Sequence, residues 1–125
     1  MSDLFALIVE DETDLAIIFA KALQDAGFET QIVRAGDTAL MWLTSTTPQV
    51  VVLDLHLPRV SGEEVLEKIR ADERLKDTQV IIATADPRMA DILQDKADLV
   101  LLKPIGFSQM RDLAARLGAQ ASLEE

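Results

Sequence analysis

Five short runs rich in Val, Ile and Leu, at positions 4–9, 29–34, 50–53, 80–83 and 99–102, are separated by longer stretches whose apolar residues recur every three or four positions. No other feature of the chain restricts its fold as much. Such alternation is the pattern of βαβ units, in which parallel strands lie beneath helices on both faces of one sheet. Four of the runs are almost wholly apolar, as doubly covered strands should be, whereas Glu29-Thr30-Gln31-Ile32-Val33-Arg34 alternates polar with apolar and is expected at an edge. Five strands alternating with five helices through right-handed crossovers leave few layouts, and a doubly wound α/β sandwich is the commonest.

The helices can be placed from the same spacing. Leu15, Ile18, Phe19, Ala22, Leu23 and Ala26 mark the first, with Thr13 and Asp14 as capping candidates and Gly27 where a C-terminal cap belongs. Ala39, Leu40, Trp42 and Leu43 mark a second after Gly36-Asp37-Thr38, and Ser61-Gly62-Glu63-Glu64 opens a third carrying Val65, Leu66 and Ile69. Pro87 suits the first turn of a short fourth helix with Met89, Ile92 and Leu93 along it, and Asp86, two places past Thr84, reads either as its cap or as a carboxylate at the edge of a site, placed to repel a phosphoryl group or orient an attacking water. Phe107, Met110, Leu113, Ala114 and Leu117 define the fifth, and the stretch 118–125 is expected to fray. A length of 125 residues, 49% of them hydrophobic, suits one domain with a core of its own, so 1–125 is read as a single unit.

Composition excludes several classes of function. The chain has no cysteine, which removes disulfide scaffolds, thiolate metal sites and cysteine nucleophiles. Met1-Ser2-Asp3-Leu4-Phe5 lacks the basic start and apolar stretch of a signal peptide, and no apolar run is long enough to span a bilayer, so a cytoplasmic setting is expected. A net charge of −10 repels phosphate backbones and anionic lipid, which argues against direct nucleic-acid or membrane binding.

In open α/β sheets the ligand site forms beyond the carboxyl ends of the strands, where their order reverses. The first run ends in Glu10-Asp11, the third in Asp54, the fourth in Thr84 and the fifth in Lys103. Asp54 directly follows Val50-Val51-Val52-Leu53 at the mouth of a central strand, where a carboxylate needs a partner. Crowding it against Glu10 and Asp11 costs on the order of several kcal/mol unless a cation compensates. Magnesium suits an open rim with few carboxylates and room for phosphate oxygens. An ammonium and a hydroxyl then meet the oxygens of a transferred phosphoryl group, and a carboxylate can accept that group as an acyl phosphate.

The ordered set Glu10-Asp11, Asp54-Leu55-His56-Leu57-Pro58-Arg59-Val60-Ser61-Gly62, Thr84-Ala85 and Lys103-Pro104 resembles the motif set of two-component response-regulator receiver domains, and it spans nearly the whole chain. The resemblance implies a flavodoxin-like doubly wound five-stranded parallel sheet of order 2-1-3-4-5. It implies phosphorylation of Asp54 from a histidine kinase or histidine phosphotransfer protein, with Thr84 and Lys103 assisting. Magnesium would be held by Asp11, Asp54 and the backbone carbonyl of His56, with Glu10 acting mainly through water. A cis peptide between Lys103 and Pro104 is implied as well. The chain would be a phosphoacceptor that catalyses its own phosphotransfer and dephosphorylation rather than an enzyme, a monomer or weak dimer that signals by docking a downstream protein.

Taken singly, these residues have plainer readings: Glu10 and Asp11 as helix N-terminal charge, Lys103 as a solubility charge, Thr84 as a strand former, His56 as a solvent-facing loop residue, Trp42 and the methionines as packing. Only their order raises them above that. A flavin-binding flavodoxin fits poorly, because the loop after the first strand is acidic where a phosphate cradle wants amides. A receiver-like module that binds partners without phosphorylation is the main alternative. Two departures bear on output. Leu101 stands where receivers usually carry Tyr or Phe, so the aromatic rotamer signal is absent, and the stretch from Thr84 to Lys103 is about one helical turn short, which trims the fourth helix.

Overall fold

The computed structural model describes residues 4–124; Met1 to Asp3, read above for the absence of a leader, and Glu125 lie outside them. Strands β1 (Phe5–Val9), β2 (Glu29–Val33), β3 (Val50–Asp54), β4 (Gln79–Thr84) and β5 (Leu99–Leu102) alternate with helices α1 (Thr13–Asp25), α2 (Gly36–Ser45), α3 (Gly62–Ala71), α4 (Pro87–Leu93) and α5 (Phe107–Glu124), and one 3-10 turn, Glu73–Leu75, precedes β4. All strand pairs are parallel and the order is β2-β1-β3-β4-β5, the flavodoxin-like arrangement. The order reverses between β1 and β3, which places the ligand crevice over the ends of those two strands. No helix among the described residues is long and apolar enough to cross a membrane.

Each sheet face has its own core. On one side Ile8, Val52 and Ile81 pack against Phe19 and Leu23 of α1 and Met110 and Ala114 of α5. On the other, Leu7, Val51 and Ile82 pack against Ala39 and Leu43 of α2 and Leu66 and Ile69 of α3. Residues 50–54 of β3 are buried throughout, because both faces are roofed.

Local rules explain the helix ends, with corrections. Ser61 caps α3 by accepting from the Glu64 amide at 3.2 Å, and Asp86 caps α4 by accepting from the Arg88 amide at 3.0 Å, with Pro87 in the first turn. Gly27, at φ +101, closes α1 in a Schellman arrangement: its amide donates to Gln24 at 3.0 Å and that of Phe28 to Leu23 at 2.9 Å. Thr13 and Asp14 do not cap α1. Its N-cap is Glu12, whose amide donates instead to the Glu10 carboxylate at 3.1 Å.

Tertiary packing decides three further points. The chain does not leave the helix at Gly118: α5 runs on to Glu124, and Gly118 is buried because a Cβ there would press on Phe28 and Leu4. The glycine serves close approach rather than termination. β5 is the second edge strand, as the order 2-1-3-4-5 implies, and it is apolar because helices cover its faces although its outer side has no neighbour and Leu102 is exposed. Met41 is exposed, whereas Met110 is fully buried and Trp42 packs obliquely on Phe5 with ring centroids 6.3 Å apart, so packing accounts for some but not all of these side chains.

Candidate functional site

Each residue singled out at a strand end lies on one rim. The register pairs Val9 with Leu53, Asp54 with Ala83 and Thr84 with Leu102, so Glu10, Asp54, Thr84 and Lys103 leave four adjacent strands at nearly the same level. Main-chain bonds extend that alignment past the strands: the Glu10 amide donates to Val33 at 3.1 Å and the Lys103 amide to Thr84 at 2.8 Å. The Lys103-Pro104 peptide is cis, as the family pattern implies.

Three of these groups form a buried charged cluster. Glu10 is 1% exposed and Asp54 4%, and the Lys103 ammonium reaches both, 3.0 Å from Glu10 Oε1 and 3.4 Å from Asp54 Oδ1. Glu10 Oε1 is fully buried and meets the Lys103 ammonium as an ion pair. Burial pushes the Glu10 carboxyl above its ordinary 4.5; Lys103 and the Glu12 amide pull it down, and Asp54 adds to the rise. Burial alone would lower the Lys103 ammonium, but contact with Glu10 and Asp54 outweighs it and holds the group above 10.5. Two buried carboxylates sharing one ammonium leave a net negative charge, and buried charge without compensation is unfavourable.

Asp11 does not join the cluster. Its side chain is exposed, and among the described residues no three carboxylate or imidazole groups are already drawn together as a cation site. The expected crowding of three carboxylates is thus met by two. Glu10 turns inward just past the end of β1, and Asp11 lies in the bend that leads into α1, where its side chain is exposed. What fixes Asp11 is its backbone, since its carbonyl accepts from Arg34 Nη2 at 2.7 Å and Nε at 3.2 Å. The His56 side chain is exposed, as the plainer reading has it. Thr84 is fully buried and its hydroxyl accepts from the Asp86 amide at 3.1 Å, joining the rim to the cap of α4.

The donor set still fits a hard divalent cation. All available ligands are oxygens, the two buried carboxylates share a single ammonium and so keep a net negative charge, and the exposed Asp11 lies one residue from Glu10. The sequence did not reveal the residues bracing the rim. Arg34 reads only as the polar end of an edge strand, and Asp37 and Arg59, joined at 2.8 Å, are 22 positions apart with no motif linking them.

On the departures, α4 is a seven-residue helix whose single fully buried residue is Leu93, consistent with the short fourth helix. Leu101 is half-buried and packs on the core under α1 and α5.

Comparison with known proteins agrees with the geometry. The family model described as response regulator receiver domain matches residues 6–115. The probable methanogenesis regulatory protein FilR2 of Methanothrix harundinacea is 32% identical, over 84% of this chain and 75% of that protein. The signal receiver domain of a candidate Luxo repressor protein from Vibrio parahaemolyticus superimposes with a TM-score of 0.86 at 35% identity, covering 97% of this chain and 94% of that one. Response regulator TrrA from Thermotoga maritima, in complex with Mg2+-BeF, gives 0.79 at 29% identity, over 91% and 98%. The chain spans about half the length of the DNA-binding response regulator MtrA of Mycobacterium tuberculosis, which it matches at 31% identity. Buried carboxylates and a lysine on the rim of a 2-1-3-4-5 sheet, together with these matches, make the chain a member of the response-regulator receiver domain family, which serves two-component signalling.

Proposed function

We propose that the chain is one phosphoacceptor module, taking a phosphoryl group on Asp54 from the phosphohistidine of a histidine kinase or phosphotransfer protein. The observation that carries this reading is the Glu10–Lys103–Asp54 cluster, a buried arrangement with no structural need for two carboxylates on one ammonium. A rule-abiding core would place apolar groups there, so the unfavourable charge points to a task.

Asp54 Oδ attacks phosphorus as the bond to the donor imidazole nitrogen breaks; the imidazole leaves with the electron pair, and an acyl phosphate remains on Asp54. Lys103, already at Asp54 Oδ1, is placed to meet the oxygens of the arriving group, and the Thr84 hydroxyl, on the neighbouring strand, can donate to another. Mg2+ would be held by Asp11, Asp54 and the His56 carbonyl, with Glu10 behind them, and when bound it offsets the charge on the phosphoryl oxygens. The TrrA complex with Mg2+-BeF supports this ion for the family. Hydrolysis of the acyl phosphate returns the carboxylate, so the module resets itself, in a cytoplasmic setting and without direct contact with nucleic acid or membrane. Its output is docking to a downstream protein as a monomer or weak dimer.

The test is intact-mass measurement after incubation with Mg2+ and acetyl phosphate. One phosphoryl adduct on the wild type, absent from Asp54→Asn and suppressed by EDTA, is the expected result. No adduct on the wild type would overturn the proposal in favour of a receiver that signals by binding alone.

A further inference from the structure

Besides Asp54 at the end of β3, the oxygen donors proposed for the cation come from two loops, Asp11 from 10–12 after β1 and the His56 carbonyl from 55–61 after β3, and a single short segment braces both. That segment is residues 34–37, where β2 passes into α2. Arg34 reaches the first loop and holds the Asp11 carbonyl with two donors, at 2.7 and 3.2 Å. Gly36 faces the second loop: its amide donates to the Pro58 carbonyl at 3.4 Å, and a Cβ there would collide with the Val60 carbonyl. Only glycine permits that approach. Asp37 then accepts from Arg59 Nε at 2.8 Å.

Arg59 is the clearest sign that this contact matters. It is the single non-glycine residue among the described ones with a positive φ, at 69°, a conformation that L side chains rarely adopt. Glycine would adopt it freely; the Val60 amide, donating to the Pro58 carbonyl at 2.9 Å, closes the turn at Arg59, and Asp37 fixes the arginine side chain. The loop is pinned at its far end as well, since the Gly62 amide donates to the Leu55 carbonyl at 3.1 Å and a Cβ on Gly62 would strike the Asp54 backbone.

We infer that residues 34–37 form a positioning strut: Arg34 and the Asp37–Arg59 pair set the two ligand-bearing loops relative to one another, and so set cation affinity, without touching cation or phosphoryl group. The inference rests on the reading of Asp11, Asp54 and the His56 carbonyl as cation ligands. Groups that orient metal ligands from behind govern affinity out of proportion to their own stability, because they decide how far the donors must move on binding. The Arg59 and Asp37 side chains are 64% and 44% exposed, so their pair contributes little to global stability, and its loss should appear as local disorder.

The experiment takes the full chain as wild type, Arg34→Met, Asp37→Asn and Arg59→Gly, with two measurements. The first is amide hydrogen exchange in EDTA, and the second is calorimetric titration with Mg2+. Faster exchange confined to 10–12 in Arg34→Met and to 56–61 in the other two is expected, with Mg2+ affinity down about tenfold and part of it recovered in Arg34→Lys. Arg59→Gly separates the strut from simple strain, because relief of the backbone alone would leave affinity unchanged or raise it. Unaltered exchange and affinity in all three variants would overturn the inference, as would loss of protection spread evenly over the sheet. Should Asp54→Ala bind Mg2+ as well as the wild type, the cation reading fails, while exchange in EDTA still decides the strut.

Discussion

Glu10 and Asp54 are buried and Lys103 is largely so, and two like charges against one do not balance. Relieving one carboxylate should therefore stabilise the metal-free fold. In EDTA, Asp54→Asn is expected to unfold at higher urea than the wild type, by about 1 kcal/mol, because it leaves Lys103 with Glu10 alone. Added Mg2+ should raise wild-type stability by mass action and leave the variant unmoved; a variant less stable than wild type in EDTA would contradict the account. The Glu10 carboxyl carries a pH signature. Its folded-state value lies above the ordinary 4.5, so the folded chain keeps a proton that the unfolded chain has released. That contribution is present below about 4.5 and is lost as pH rises through the folded value, so metal-free wild type should lose stability relative to Glu10→Gln across that window. A difference that stays flat or grows with pH would count against it. The sequence shows these carboxylates but not their grouping: Asp11 looks equal to Glu10 on paper, and only the bend of the chain after β1 separates an exposed residue from a buried one.

At the level of elements, helix and strand identities follow from periodicity, because each helix buries one stripe and each inner strand buries both faces. The Schellman end of α1 was legible in Gly27, and its φ of +101 gives a plain expectation: Gly27→Ala should lower stability by about 1 kcal/mol in urea unfolding, although a Cβ there would meet no atom. An unchanged midpoint would show that α1 ends some other way. Ends set by distant partners were not legible. α5 continues past Gly118, which sits close against Phe28 and Leu4, and a run of sequence cannot show what lies opposite. α4 has the opposite character. Leu93 is its one fully buried residue, Asp86 caps its start, and Arg70 ties down the chain beyond it by donating to the Lys96 carbonyl at 2.9 Å and pairing with Asp98 at 3.0 Å. Amides of α4 should exchange well before those of α1 and α3, since few apolar contacts oppose its opening. Equal protection in the three helices would refute this.

Across the whole molecule, parallel order 2-1-3-4-5 turns four separate strand ends into one rim, joining residues as far apart in sequence as Glu10 and Lys103. The net charge of −10 acts on that compact body as self-repulsion, so in EDTA the melting temperature should rise when NaCl is increased from low to physiological strength, as screening weakens it. A fall would mean that screened ion pairs outweigh the repulsion. The chain by itself determined the class of fold and the cast of the site, because hydrophobic period and the residues ending each strand are local properties that survive without coordinates. Tertiary structure alone decided that Lys103 bridges two carboxylates while Asp11 stays outside, and that Arg34, Gly36 and Asp37 brace the loops around the site. Those facts depend on distances between segments remote in sequence, and spacing along a chain carries no record of such distances until packing sets them.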